Sequence, residues 1–223
     1  MKTKVLALIP AYNEGKHIKK VIEETLQYLP VLVVDDGSKD DTPQIVQETD
    51  AILLTISPNR GKGNALKTGF RWALKNGFYD GILTIDADGQ HDPHEISKFL
   101  NCIEDEKPDL IIGKRDFSKM PFSRKAANRI GRVLFSWAMR QPIEDNQSGY
   151  RYLSRALLEK VILTKKSGFE FEVENILTCL QNDMKLSWVP IRTIYGDEKS
   201  HIHPFKHIFG FIALILRVRE ATS

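Results

Sequence analysis

Two absences narrow the class of protein: cysteines are rare and long apolar runs do not occur. Only Cys102 and Cys179 are present among 223 residues, too few for a disulfide framework or a cysteine-based zinc cluster. No run of about 18 apolar residues occurs, so no transmembrane helix is expected. The apolar stretch at residues 5–11 is too short for a secretory signal peptide. We therefore expect a cytoplasmic protein in a reducing environment.

The sequence also lacks a strong excess of charge of either sign. Lysine and arginine number 32 against 29 aspartates and glutamates, and the isoelectric point is near 8.7. This excess is too small to indicate nucleic-acid binding, and no nucleic-acid partner is expected. The hydrophobic share of 42% and the charged share of 27% are typical of a globular protein. The length suits one large domain or two very small ones.

Short apolar runs alternate with helical patterns along the first half of the chain. Such runs are typical of strands buried on both faces, and they predict strands at residues 5–9, 31–34, 51–56, 82–85 and 109–113, with a further strand near 186–195. Between them, apolar residues recur at three- and four-residue steps, as in amphipathic helices. This alternation predicts an α/β fold with a mostly parallel central sheet and helices on both faces.

Four of the predicted strands end in polar side chains. These are Tyr12, Asn13 and Glu14 after the first strand, Asp35 and Asp36 after the second, Asp86 and Asp88 after the fourth, and Lys114 and Arg115 after the fifth. Each group alone could be a turn or a helix cap. Because an open parallel sheet binds ligands beyond the carboxyl ends of its strands, four polar ends together predict a site at that edge.

One of these strand ends points to a cation, and a separate loop after the third predicted strand points to an anion. Asp86 and Asp88 form an oxygen-only pair that suits Mg²⁺ or Mn²⁺ bridging phosphate oxygens, and His91 could extend that set of ligands; the alternative is a solvated turn. Gly61 and Lys62 lie in a glycine-containing turn before a helix. Such a turn favours contact with a phosphate, although neither a P-loop nor a complete dinucleotide fingerprint is present.

Six short motifs follow one another along the chain. They read IPAYNE at residues 9–14, VVDDGS at 33–38, NRGKG at 59–63, DADGQH at 86–91, GKR at 113–115 and QSGYR at 147–151. In this combination the sequence closely resembles the family 2 glycosyltransferases of GT-A fold, nearest the branch of the dolichol-phosphate and polyprenol-phosphate mannose synthases. The resemblance implies a Rossmann-like three-layer sandwich as the catalytic domain, over residues 1–203.

The resemblance further implies a metal-dependent enzyme that moves a hexose from a nucleotide-diphospho-sugar with inversion. The donor would be a GDP- or UDP-sugar, and the cofactor Mg²⁺ or Mn²⁺. By motif position, the pocket for the base and ribose would be lined by Pro10, Tyr12 and Glu14. Asp36 would bond the base, and Asp86 would contact the ribose or the sugar.

The same resemblance implies the residues that hold the metal and the acceptor. Asp88 together with Gln90 would hold the cation on the diphosphate. Arg115 would meet an acceptor phosphate with either Arg124 or Arg129, between which the sequence does not choose. The implied catalytic group consists of Asp86, Asp88, Arg115 and Asp145.

The identity of the acceptor depends on whether a general base is needed. A hydroxyl acceptor needs one within hydrogen-bond reach, and Asp145 falls where relatives place a carboxylate near the acceptor. A phosphate monoester is already ionised at neutral pH and needs cations instead, which begin with Lys114 and Arg115. We therefore expect a polyprenyl phosphate acceptor. The alternatives are a soluble transferase with a hydroxyl acceptor, and a nucleotide-sugar-binding module without turnover.

The last part of the chain, residues 204–220, has a helical apolar pattern with almost no polar face. Such a helix must bury itself, against a membrane surface or against a partner chain in a homodimer. We assign residues 204–223 to this helix and favour a peripheral position on the inner face of the membrane. Trp137 and Trp188 are interpreted as core residues. Glu172 is interpreted as structural, with an active-site role as the alternative.

Overall fold

The structure is a computed structural model that describes residues 3–77, 79–115, 133–164, 171–192 and 219. In chain order the elements are β1 (Val5–Ala11), α1 (Ile18–Leu26), β2 (Val31–Asp35), α2 (Thr42–Gln47), β3 (Ile52–Thr55), α3 (Lys62–Asn76), β4 (Gly81–Thr84), a 3-10 turn (Pro93–Glu95), α4 (Ile96–Glu106), β5 (Leu110–Arg115), α5 (described over 133–139), β6 (Arg151–Ser154), α6 (Arg155–Val161), α7 (Phe171–Gln181) and β7 (Leu186–Ile191).

The strands form one sheet in the order β3-β2-β1-β4-β6-β5-β7. Every neighbouring pair is parallel except those of β6, which runs antiparallel to both β4 and β5. The predicted α/β fold with a mostly parallel sheet is therefore confirmed. Because β6 is reversed, its first residue, Arg151, pairs with Thr84 on one side and Ile112 on the other. The loop that precedes β6 thus lies at the edge where β4 and β5 end.

Two apolar layers cover the sheet, one on each face. In β1, Leu6 and Leu8 belong to the core under α3, α5, α6 and α7, whereas Val5, Ala7 and Ile9 belong to the core under α1, α2 and α4. This alternation follows from the two-residue period of a strand, and it explains why β1 is apolar at every position. The result is the expected three-layer sandwich.

Two details of the fold differ from the sequence predictions. β6 is a strand within a stretch that shows no strand pattern. Trp137 is 53% exposed, so its assignment to the core is wrong, while Trp188 is partly buried against the core as expected. Among the described residues, no helix combines the length and the apolar character needed to cross a membrane.

Candidate active site

The loops after β1 and β2 are tied together by hydrogen bonds at the carboxyl edge of the sheet. The Asn13 backbone N–H donates to Ser38 Oγ at 2.8 Å, and the Lys39 N–H donates to Asn13 Oδ1 at 2.8 Å. The Glu14 N–H donates to Thr42 Oγ1 at 2.8 Å. These bonds fix the segment that follows Pro10. Within that segment, Tyr12 presents an exposed ring beside a rigid backbone.

Asp36 is buried and organises the turn that leads into α3. Its two carboxylate oxygens accept the backbone N–H groups of Arg60, at 2.9 Å, and Gly61, at 2.6 Å. Gly61 has a φ of 88°, a conformation that glycine adopts without strain. The carboxylate therefore sets the position of Lys62, the first residue of α3. The bond from Asp36 to a base stays a prediction, since each carboxylate oxygen can accept more than one hydrogen bond.

Lys62 lies between two carboxylates from distant parts of the chain. Its Nζ is 2.7 Å from Asp86 Oδ1 and 2.9 Å from Glu172 Oε1. Burial opposes charge on Lys62, but the two negative charges outweigh burial and raise the pKa of Lys62. Burial likewise opposes charge on Asp86, but the positive charges of Lys62 and Arg115 prevail and hold its pKa at about 2. All three elements that carry this cluster meet at the carboxyl edge, so Glu172 belongs to the site.

Asp88 follows Asp86 by two residues and lies partly exposed at the same edge. Its Oδ1 accepts the Gln90 backbone N–H at 2.9 Å. Burial, and then the negative charge of Asp86, raise the pKa of Asp88. A divalent cation would offset both effects, and the carboxylate and amide oxygens of Asp88 and Gln90 suit a hard cation. Within the described ranges, no three His, Cys, Asp or Glu side chains converge as a metal cage.

His91 is buried, and its ring faces inward. Its Nδ1 accepts the Asp86 backbone N–H at 3.2 Å, and burial lowers its pKa. A histidine that accepts at Nδ1 is neutral with its proton on Nε2. The ring stacks on Tyr150 with 5.0 Å between centroids. The contacts thus link His91 to the backbone of Asp86.

The basic residues at the end of β5 are paired with acidic residues that precede β6. Arg115 Nε lies 2.7 Å from Asp145 Oδ2, and Arg115 Nη2 lies 3.0 Å from Asp145 Oδ1. Lys114 forms an ion pair with Glu144. Asp145 Oδ1 also accepts backbone N–H groups at 3.0 Å and 3.2 Å, from Gln147 and Ser148. Asp145 therefore holds both Arg115 and the turn at Gln147 and Ser148.

Two residues of the site were assigned no role from the sequence, although they lie in the QSGYR motif. Arg151 is fully buried and donates to the carbonyl oxygens of Ser148 at 2.6 Å, Asn146 at 3.0 Å and Glu172. Gly149 lies against the lysine cluster: a Cβ there would stand 2.6 Å from Asp86 Oδ2. A buried arginine satisfied by carbonyls fixes the loop, and the glycine permits its close approach.

Contacts join several of the predicted site residues, and others lie outside the described residues. Contacts join Lys62 to Asp86 and Arg115 to Asp145, and the loop before β6 lies between these pairs. Arg124 and Arg129 lie outside the described residues, as do residues 204–218, so their predicted roles stay predictions.

The sequence matches a known family over most of the elements that build this edge. Residues 7–163 match the family described as glycosyl transferase family 2. The chain belongs to this family. The match runs from the third residue of β1 to just beyond the end of α6, and it includes every described residue of the candidate site except Glu172.

Two curated relatives support the family and cover most of the chain. The UDP-N-acetylglucosamine–dolichyl-phosphate N-acetylglucosaminyltransferase of Methanococcus voltae is 31% identical over 220 residues, covering 86% of this chain and 86% of that protein. The polyprenol monophosphomannose synthase of Mycolicibacterium smegmatis is 30% identical over 208 residues, covering 84% of this chain and 76% of that protein. The first name describes transfer of N-acetylglucosamine to dolichyl phosphate, and the second describes synthesis of a polyprenol monophosphomannose.

A solved structure shows the same fold. Glucosyl-3-phosphoglycerate synthase from Mycobacterium tuberculosis, in complex with Mn²⁺, UDP and glucosyl-3-phosphoglycerate, superposes with a TM-score of 0.74 at 18% identity. The match covers 98% of this chain and 80% of that one. The GT-A fold of this family is therefore established for the chain.

Proposed function

We propose that this protein is an inverting, metal-dependent glycosyltransferase that moves a hexose from a nucleotide-diphospho-sugar to a polyprenyl phosphate. The observation that supports a phosphate acceptor is the position of the Arg115 guanidinium. Arg115 lies at the end of β5, and the buried carboxylate of Asp145 holds it in place. Arginine matches phosphate geometry with two parallel donors. The names of the two relatives support the same class of acceptor.

The donor would lie along the carboxyl edge from β1 to β4. Pro10, Tyr12 and Glu14 would flank the nucleoside, with Asp36 on the base, and Asp86 would accept from a ribose or sugar hydroxyl. Asp86 is ionised at neutral pH because its pKa lies at about 2, so it can only accept. The base would be uracil or guanine, and UDP is the nucleotide in the neighbouring structure.

Asp88 and Gln90 would hold Mg²⁺ or Mn²⁺ on the diphosphate. The cation would neutralise charge that builds on the departing nucleoside diphosphate. Mn²⁺ in the neighbouring structure supports a divalent cation. Lys62 was predicted to contact a phosphate. Its Nζ already bonds Asp86 and Glu172, so such contact requires a third partner for the same ammonium group, which has three donors.

The acceptor would need no general base. A phosphate monoester is largely dianionic above its second pKa of about 6, so its oxygen can attack the anomeric carbon directly. Arg115 would hold that phosphate near Asp86. The two residues are close enough for the positive charge of Arg115 to lower the pKa of Asp86. Because the acceptor is a lipid, we place the enzyme in the cytoplasm at the inner face of the membrane, with residues 204–220 as the predicted contact.

Transfer assays with matched acceptors test this proposal. The full chain is incubated with Mn²⁺ and radiolabelled UDP- and GDP-hexoses, and with either undecaprenyl phosphate or undecaprenol. We expect labelled lipid only from the phosphate, with the opposite anomeric configuration to the donor. Equal labelling of the alcohol would indicate a hydroxyl acceptor, and donor binding without transfer to any acceptor would indicate a binding module.

A further inference from the structure

His91 occupies a buried position between two loops of the candidate site. It is 5% exposed. On one side its Nδ1 accepts the backbone N–H of Asp86 at 3.2 Å. On the other side its ring stacks on Tyr150, with centroids 5.0 Å apart and planes 29° apart. The imidazole therefore joins the loop after β4 to the loop before β6 from the protein interior.

The Asp86 N–H lies just beyond the end of the β4 ladder. The preceding residue, Ile85, still donates its N–H to Leu8 of β1 at 3.1 Å. Asp86 lies beyond the pairing of β4 with β1, and the His91 side chain supplies the acceptor for its N–H. A buried backbone N–H without an acceptor is costly. His91 thus fixes the point from which the Asp86 carboxylate reaches Lys62.

Tyr150 provides a rigid wall for the histidine ring. It is fully buried and stacks on Phe99 of α4, with centroids 4.7 Å apart. Its backbone carbonyl accepts the Gly113 N–H at 2.8 Å, and its hydroxyl donates to the Asp92 carbonyl at 3.3 Å. Tyr150 directly follows Gly149, where an added Cβ would stand 2.6 Å from Asp86 Oδ2 and 2.8 Å from Lys62 Nζ.

We infer that His91 is a positioning residue that places the Asp86 carboxylate through the backbone N–H of Asp86. Two separable properties of the side chain perform this task. The Nδ1 acceptor fixes the orientation of the Asp86 peptide, and the ring sets the spacing between the two loops by stacking on Tyr150. The inference rests on the proposed function only for its catalytic consequence.

Two substitutions separate the two properties. In His91→Asn the amide oxygen can stand near the place of Nδ1 and accept the same N–H, but the ring is lost. In His91→Phe the ring can still stack on Tyr150, but the acceptor is lost. The matched controls are His94→Asn and His94→Phe, because His94 lies three residues away with a side chain that is 63% exposed.

The order of activities is expected to be opposite to the order of stabilities. For His91→Phe we expect kcat to fall about 10- to 100-fold, because small misplacement of a reacting group has effects of that size. His91→Asn is expected to recover most of that loss, yet to have the lower thermal midpoint of the two. The His94 variants should match the wild type. A purely structural role predicts that kcat is unchanged once the folded fraction is accounted for.

Hydrogen exchange provides a readout that does not depend on activity. The Asp86 amide is expected to be protected in the wild type and in His91→Asn, and to exchange faster in His91→Phe. Equal protection in both His91 variants would overturn the inference, as would equal loss of kcat. If the wild type transfers no sugar, the proposed function fails, and the exchange comparison still decides the role of His91.

Discussion

Arg115 and Asp145 form a two-point ion pair, with Nε–Oδ2 and Nη2–Oδ1 distances of 2.7 Å and 3.0 Å. The Asp145 side chain is only 2% exposed. The Gln147 and Ser148 N–H groups also donate to it. A general base needs to reach the proton that it removes, whereas this carboxylate is enclosed by its own donors. Asp145 is therefore better suited to hold Arg115 than to deprotonate an acceptor.

Substitutions in the Arg115–Asp145 pair should change the kinetic constants for the acceptor and leave those for the donor unchanged. Arg115→Ala is expected to lower kcat/KM for undecaprenyl phosphate by at least about tenfold, since it removes charge-assisted hydrogen bonds. Asp145→Asn should lose less, because an amide oxygen can still accept from Arg115. Steady-state kinetics with each substrate varied in turn measure both effects.

The pH dependence distinguishes the two roles of Asp145. If Asp145 holds Arg115, Asp145→Asn keeps the wild-type shape of the pH–rate profile. If the acidic limb of the profile disappears in Asp145→Asn and the variant is almost inactive, Asp145 acts as a base, which would support a hydroxyl acceptor. Glu144→Gln is the control, because the Lys114–Glu144 pair is partly exposed and such pairs contribute little.

Asp88→Asn should abolish transfer without unfolding the protein. The Asp88 side chain is partly exposed beyond the end of β4, so it contributes little to the core. Its carboxylate is the group proposed to hold the cation. We expect the thermal midpoint to stay near that of the wild type, and Mn²⁺ to lose its stabilising effect on the complex with nucleoside diphosphate. Asp105→Asn, on the exposed surface of α4, is the control. Near-normal activity of Asp88→Asn in Mn²⁺ would assign the metal to other ligands.

The sequence predicts most of the sheet because most of its strands are short apolar runs. β1, β2 and β4 are buried at every position and β5 at its first four, whereas β3 at the sheet edge is partly exposed. Each of the five apolar runs predicts a strand, β1 to β5, within two residues of its observed bounds. β6 is not predicted, because it begins with the fully buried Arg151 and ends with Ser154, so its four residues do not form an apolar run. Its partners in β4 and β5 come from distant parts of the chain, so no local pattern marks it.

The candidate site is predictable in its position and less so in its pairings. The polar strand ends locate Asp86, Asp88 and Arg115 at one edge, as the parallel sheet requires. The partners depend on tertiary packing: Lys62 and Glu172 are 110 residues apart and meet because α7 begins beside α3. Trp137 follows an apolar helical pattern yet is exposed, because periodicity does not show which helical faces are covered.

The two cysteines should differ strongly in reactivity. Cys179 is buried on α7, and burial raises the pKa of its thiol to about 12. Only the thiolate reacts with disulfide reagents, so Cys179 should stay unlabelled in the native protein at pH 8. Cys102 is partly exposed and should react first. We expect one labelled thiol in native buffer and two in guanidinium chloride, with Cys102→Ala leaving only the second.

The last prediction compares two glycines that both lie too close to a neighbour for a side chain. A Cβ on Gly149 would stand 2.6 Å from Asp86 Oδ2 and 2.8 Å from Lys62 Nζ. A Cβ on Gly69 of α3 would stand 2.4 Å from Leu8 Cδ1 in the core. Both alanine substitutions must displace a neighbour, but the displaced groups differ in kind.

Gly149→Ala should therefore damage activity more than stability, and Gly69→Ala the reverse. Overpacking a core costs about 1–3 kcal/mol of unfolding free energy, which we expect for Gly69→Ala with kcat unchanged. For Gly149→Ala the charged groups can move toward solvent, so the fold survives. Because Asp86 then leaves its place beside the donor, kcat/KM should fall about 10- to 100-fold. Denaturant titration and donor kinetics on both variants measure the two effects. Full activity of Gly149→Ala would mean that the Asp86–Lys62 geometry is not needed for transfer.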